Sequence, residues 1–258
     1  MNEGRLYTQQ RRRNILHAIR RAGSADVNAL AERFHVSGTT IRLDLSALEQ
    51  TGEIVRTHGG AVLTELTVRE PRISERAHQP EKDRIAEKAL AHIDDGDTLL
   101  MDTGTTMLAL ARALARSTLA GLTVYTNDIE VMRTLEEKES WSLYLLGGRM
   151  RSGFHYTYGD QAVRELSGYH FRKLFLATSA MSLTSGLTTA NTELAALKAA
   201  MIAASETVYL LTDASKLHRV DFQRFAALTD IDALIIDGGV DPADAEALSE
   251  SIPLIERA

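Results

Sequence analysis

A chain of 258 residues with 44% hydrophobic and 25% charged side chains has the composition of a packed globular protein, not of a disordered one. It contains no cysteine, which removes disulfides, thiol nucleophiles and cysteine-ligated zinc together. The net charge of −6 is unevenly spread. Residues 1–62 carry nine arginines, no lysine and six acidic side chains, and the remainder is acidic, as expected of a small basic module joined to a larger acidic one.

No run of about 18 apolar residues occurs and the N-terminus is polar, so neither a membrane span nor a signal peptide is expected. A cytoplasmic location follows as the expectation.

Three helical periods open the chain. Ile15, Leu16, Ile19 and Ala22 share one face of the first, which Gly23 closes. Asp26 is a suitable N-cap for the second, whose apolar face is Val27, Leu30, Ala31 and Phe34. Ser37 precedes the third, which carries Ile41, Leu45 and Leu48 and stops at Gly52. Only "HVS" separates the last two, too little chain for side-by-side packing, so the pair crosses steeply as a helix-turn-helix. "EIVRTHGGAVL" then predicts a two-stranded hairpin, a wing, turning at Gly59-Gly60 with Arg56 and His58 near its tip.

The exposed opening of the third helix holds Ser37, Gly38, Thr39, Thr40 and Arg42. Short hydroxyls and an arginine in a major groove reach base edges or phosphates. With Arg56, His58 and Gly59 of the wing they form the candidate DNA contacts. Singly, Ser37 is only a cap and Arg42 a surface charge; their ordered combination is what points to nucleic acid.

"VSGTTIRLDLSALEQTGEIVRTHGGA" resembles the N-terminal winged helix-turn-helix of the DeoR family of bacterial transcriptional regulators. Val36, Ser37, Thr40, Ile41, Arg42, Asp44, Leu45, Leu48, Glu49, Gly52, Arg56, His58, Gly59, Gly60 and Ala61 fall on the family's pattern. Leu43 departs from it, standing where a second arginine is usual.

Residues 1–63 are thus read as a DNA-binding domain. Residues 64–82, with two of the four prolines, read as a linker, and 83–258 as a second domain. A helix from about Glu81 to Ile93 opens the latter. Apolar strands are predicted at 98–101, 122–126, 141–146, 173–178, 207–212 and 232–237, with helices near 105–115, 128–137, 160–167, 191–205 and 242–250. This alternation predicts an α/β fold with a mainly parallel sheet covered on both faces.

Ligands of such sheets sit beyond the carboxyl ends of the strands. There the sequence places Asp102, Thr103, Gly104, Thr105 and Thr106, a glycine among hydroxyls at a helix start, suited to cradle phosphate. It lacks the Gly-Lys-Ser/Thr ending of a nucleotide-hydrolysing loop. Thr126-Asn127 either caps the next helix or contacts ligand. Gly147 and Gly148 allow close backbone approach, and Arg149 offers an anion partner. Asp213 and Lys216 end a later strand. His155, Tyr156 and Tyr158 are candidate pocket lining.

This region resembles the DeoR-type effector domain, related in fold to ribose-5-phosphate isomerase-like enzymes. The resemblance implies that Asp102–Thr106, Thr126-Asn127, Gly147-Gly148, Glu193 with Lys198, and Asp213 with Ser215-Lys216 surround a phosphorylated sugar. Two departures stand out: Ser179–Leu187 carries no carboxylate where members have an acidic loop, and Arg172 stands where Asp is common. Aldose-ketose isomerisation needs a positioned carboxylate, so its absence weighs against catalysis.

The leading expectation is a repressor of a carbohydrate-metabolism operon, not an enzyme. It binds operator double-stranded DNA as a homodimer or homotetramer and responds to a phosphorylated sugar. The alternatives are a sugar-phosphate isomerase or deaminase with an accessory domain, and an N-terminal module for protein contacts. No cofactor is implied, and the eight histidines show no metal-ligand spacing.

Overall fold

The structure, a computed structural model, describes residues 3–22, 24–50, 54–56, 59–63, 78–151 and 153–258. It divides into two compact units, Met1–Glu70 and Pro71–Ala258. Gly23, Gly52, His58 and most of the expected linker lie outside the described residues.

The first unit runs α1 (Glu3–Ala22), β1 (Ser24–Asp26), α2 (Val27–Phe34), α3 (Gly38–Gln50), β2 (Ile54–Arg56) and β3 (Gly60–Leu63). Ile15, Ile19, Leu30, Ile41, Leu45, Leu48 and Ile54 form its core, so the helical periods face one another as the sequence requires. Asp26 caps α2 through Asn28 N (2.8 Å) and Ala29 N (3.2 Å). His35, in the left-handed conformation (φ 52°), makes the turn into α3.

The wing differs from expectation. It is a three-stranded antiparallel sheet in the order β1-β3-β2, because Ser24–Asp26 pairs with β3. Three residues are too few to show an alternating period, so this strand was not legible. Gly60 is required here, since a Cβ would stand 2.1 Å from the Ala25 carbonyl oxygen.

The second unit runs α4 (Gln79–Leu90), β4 (Thr98–Met101), α5 (Thr105–Arg116), β5 (Thr123–Thr126), α6 (Ile129–Leu135), β6 (Ser142–Leu145), β7 (Arg149–Arg151), β8 (Tyr156–Tyr158) and α7 (Asp160–Leu166). It continues with β9 (Phe171–Ala177), β10 (Ala180–Ser182), β11 (Gly186–Thr189), α8 (Thr192–Ala203), β12 (Ser205–Thr212), β13 (Gln223–Ala226), β14 (Ala233–Ile236), α9 (Pro242–Ser249) and β15 (Leu254–Arg257). Each of the six predicted strands is present.

Seven strands form one sheet in the order β15-β14-β12-β9-β4-β5-β6, every neighbouring pair parallel. Alternate residues point to opposite faces. Leu100, Leu174, Leu176, Leu210 and Leu234 pack with α7, α8 and α9, whereas Leu99, Met101, Phe175, Leu211 and Ile235 pack with α4, α5 and α6. The β7–β8 hairpin and the antiparallel sheet β10-β11-β13 are additions outside this core; their strands are only three or four residues long.

The strand order fixes where a ligand fits. From β4 the chain builds outward through β5 and β6, then returns to β9 beside β4 and builds the other way. The crevice at the carboxyl ends of β4 and β9 is therefore the topological switch point.

Candidate functional site

In the first unit, α3 turns two faces outward and inward. Thr39, Arg42 and Leu43 are exposed, while Ile41, Asp44, Leu45 and Leu48 are buried. Ser37 Oγ accepts the Thr40 amide (3.2 Å) and lies 2.9 Å from Thr40 Oγ1, so these two hydroxyls are engaged in capping. Arg42 Nη1 lies 3.5 Å from where a Gly38 Cβ would stand, which brings its charge over the helix N-terminus.

Behind α3, Asp44 has a side chain only 2% exposed and accepts from Arg11 Nε (2.6 Å) and Arg12 Nε (2.9 Å). This clamp to α1 joins residues more than thirty apart in sequence, and no local pattern signals it. Arg56 is exposed at the end of β2. Its amide donates to Glu49 Oε1 (3.0 Å) and its guanidinium to Ser46 Oγ (2.7 Å), strapping the wing to α3. The Gly59 carbonyl accepts the Val27 amide at 2.9 Å.

At the switch point of the second unit, Asp102 follows β4 and is fully buried. Its Oδ2 accepts from the Ala177 amide (3.1 Å) at the end of β9 and forms an ion pair with Lys198 Nζ. Lys198, 5% exposed, also donates to the Ala177 carbonyl at 2.9 Å. The site thus joins β4, β9 and α8. The second oxygen of Asp102 is buried with no hydrogen-bond partner among the described residues, and so is Asn127 Oδ1. Buried polar atoms normally find a partner, so this pair of acceptors suits a hydroxyl-bearing ligand.

Asn127 is held by donation from its Nδ2 to the Thr157 carbonyl at 2.9 Å. The cap of α6 is neither Thr126 nor Asn127 but Asp128, whose Oδ1 accepts from Glu130 N (2.8 Å) and Val131 N (3.3 Å). Thr126 Oγ1 instead accepts the Asp128 amide.

The cradle reading needs a correction at two positions. Asp128 Oδ2 accepts from Thr103 Oγ1 (2.7 Å) and from the Gly104 amide (3.0 Å), so both donors are committed within the protein. Burial pushes the Asp128 carboxyl above its usual range, against the lowering effect of these bonds. The donors left to an anion belong to the first turn of α5 at Thr105 and Thr106, where helical amides have no intrahelical acceptor.

The glycine pair serves the β7–β8 hairpin. The Gly147 amide donates to Glu165 Oε2 at 3.1 Å, and a Cβ on Gly148 (φ 127°) would stand 2.5 Å from the Tyr158 carbonyl oxygen. Arg149 donates to Tyr158 Oη (3.0 Å) and forms an ion pair with Glu193. Glu193 and Lys198, on one helix, therefore have different partners. Tyr156 and Tyr158 are buried in the core, and His155 Nδ1 lies 3.2 Å from Glu130 Oε1. Asp213, nearly buried, accepts from the Ser215 amide (3.1 Å) and lies 3.8 Å from Lys216 Nζ.

Both departures look different in three dimensions. Ser179–Leu187 lacks a carboxylate in sequence, but Asp221 brings one to it: Ser179 Oγ donates to Asp221 Oδ2 at 2.6 Å, and the Asp221 amide donates to Thr188 Oγ1 at 2.7 Å. Ser179 lies two residues beyond Ala177, within about 7 Å of chain. No local pattern signals Asp221, because 42 residues separate it from Ser179. Arg172 lies at the amino end of β9, 3.5 Å from Asp97, and so at the edge opposite the switch point.

A groove of about 610 Å³ lined by Asp83, Arg84, Glu87, Lys88 and Arg257 involves none of these groups.

A winged helix-turn-helix and a parallel α/β unit with a charged, buried switch point define the class of ligand-responsive transcriptional regulators. Residues 11–67 match the DeoR-like helix-turn-helix domain and residues 77–238 the DeoR C terminal sensor domain, and the chain belongs to the DeoR family of transcriptional regulators. It is 33% identical to the HTH-type transcriptional repressor GlcR of Bacillus subtilis, over 90% of this chain and 89% of that protein. It is also 33% identical to the glycerol-3-phosphate regulon repressor of Escherichia coli K12, over 88% and 90%. The lactose phosphotransferase system repressor of Streptococcus mutans is 34% identical, over 89% and 92%. Among solved structures, ribose 5-phosphate isomerase A from Methanocaldococcus jannaschii aligns over 55% of each chain with TM-score 0.40 and 16% identity.

Proposed function

We propose that this regulator represses a carbohydrate-metabolism operon and that a phosphorylated sugar controls its hold on operator DNA. Residues 1–63 hold the DNA, through Thr39, Arg42 and the helix N-terminus of α3, with Arg56, His58 and Gly59 at the wing. Residues 83–258 hold the sugar, and 64–82 link the two. The phosphate sits at the first turn of α5 on Thr105 and Thr106. The sugar hydroxyls meet Asp102, Asn127 and Lys198, with Asp213 and Lys216 at the rim. Bound sugar regulates by differential affinity for DNA-competent and incompetent states.

The observation that carries this reading is the buried Lys198–Asp102 pair at the switch point, with Asp102 Oδ1 and Asn127 Oδ1 both buried and without a hydrogen-bond partner among the described residues. The names of the lactose phosphotransferase system and glycerol-3-phosphate regulon repressors agree with a sugar-related operon. A homodimer or homotetramer supplies the paired half-site contacts that a single small module lacks. No helix among the described residues is long and apolar enough to cross a membrane, and a cytoplasmic location fits a protein that holds DNA.

Fluorescence anisotropy tests this with the full chain and a duplex selected by it from a random pool. Pentose, hexose and triose phosphates are added in turn, with inorganic phosphate as control. One sugar phosphate should change DNA affinity by tenfold or more, and Thr105→Val should abolish the response while leaving DNA binding intact. Asp221 beside Ser179 supplies the carboxylate that a turnover reading needs. Incubation with the same compounds should nonetheless leave each unchanged, and formation of an isomer would favour the enzyme reading.

A further inference from the structure

Leu43 is the most exposed large hydrophobic residue among those described, at 65%. Its place on α3 is specific. Thr39, Arg42, Leu43 and Ser46 recur at helical spacing i, i+3, i+4 and i+7 and share one face. Ile41, Asp44, Leu45 and Leu48 occupy the opposite face and are buried. Leu43 is therefore an apolar island on a polar face, with Arg42 beside it and Arg56 one turn along, held at Ser46.

Its backbone is fixed from behind: Asp44, the next residue, is clamped by Arg11 and Arg12. Leu43 cannot roll into the core without breaking that clamp. Apolar surface flanked by two guanidinium groups matches a particular feature of duplex DNA. The phosphates satisfy the arginines, and in the major groove the thymine C5-methyl is the apolar group that a side chain can cover. The flanking cations argue against an apolar protein surface as occupant.

We infer that Leu43 reads a thymine methyl in the major groove of the operator. The inference rests on the DNA-binding reading above and adds one base to it. Covering one methyl is worth about fourfold in affinity for each such contact.

The experiment uses the full chain and the duplex it enriches from a random pool. Each thymine is replaced singly by deoxyuridine, which removes the methyl and leaves pairing unchanged. Wild-type protein should lose about fourfold at one thymine of a half-site, and Leu43→Ala should be indifferent to that same replacement. Leu43→Arg should move the selected base at that position from thymine towards guanine, the usual partner of arginine. Because the side chain is exposed, circular dichroism of both variants should match wild type. If every deoxyuridine duplex binds the wild type as well as the parent duplex, or Leu43→Ala keeps the sensitivity, the inference is overturned. If the wild type enriches no duplex at all, the DNA-binding reading falls first and the inference with it.

Discussion

Each unit contains a buried carboxylate paired with cations, Asp44 in the first and Asp102 in the second, and the two are used differently. Asp44 has both oxygens bonded, to Arg11 and Arg12, and sits on the inward face of α3. Asp102 has one oxygen bonded, to Lys198 and the Ala177 amide, and the other buried without a hydrogen-bond partner among the described residues. A fully satisfied buried ion cluster fixes geometry, whereas a half-satisfied one leaves a polar atom at desolvation cost. Asp44 is thus a positioning residue behind the exposed face of α3, and under the proposed function Asp102 belongs to a site that a ligand completes.

The largest expected effect tests the second half of that contrast. Lys198→Met strands the Asp102 charge in the interior and should cost the second unit about 3–5 kcal/mol in denaturant unfolding. Adding Asp102→Asn removes the stranded charge and should recover most of that loss without restoring any response to sugar phosphate. Parental stability in Lys198→Met alone would show that the pair is not desolvated.

Asp44→Ala should cost less, about 2–3 kcal/mol, because Arg11 and Arg12 keep contact with water. Only the first unit's transition should move, and DNA affinity should fall at least tenfold as α3 loses its anchor. An unchanged affinity would mean that α3 is held by its apolar face alone.

Asp128→Ala removes an N-cap worth about 1 kcal/mol and strands the Thr103 hydroxyl and Gly104 amide, for a total of about 2–4 kcal/mol. Its pH dependence has a definite sign. A carboxyl whose native pKa is raised by burial binds more protons folded than unfolded, so its contribution is present below about pH 4 and is lost as pH rises through the native value. The stability of wild type relative to Asp128→Asn should therefore fall as pH is raised from 4 to 7. A rising difference would reverse the assigned cause.

The smallest expected change in stability, at most about 1 kcal/mol, belongs to Asp221→Asn, where a half-exposed hydrogen bond to Ser179 is weakened. Sugar-phosphate affinity should nevertheless fall several-fold while competition by inorganic phosphate is unchanged. Equal loss of both would place Asp221 near the phosphate instead.

The sequence carried the parts of this protein that depend on neighbours along the chain. Helical periods such as Ile41, Leu45 and Leu48, the cap at Asp26, and apolar runs such as "TLLM" were legible because hydrophobic burial and capping act within one or two turns or a single strand. Alternation of strand and helix, with the motif from Val36 to Ala61, was enough for the α/β class and the family.

The tertiary structure alone decided which of the motif residues are occupied. Thr103 and Gly104 look like phosphate donors in sequence, but Asp128 takes both across more than twenty residues. Asp44 finds Arg11 and Arg12, Lys198 finds Asp102, and Asp221 restores the carboxylate that Ser179–Leu187 lacks. Such pairings depend on strand order and helix crossing, which bring distant side chains within 3 Å and leave no periodic trace along the chain.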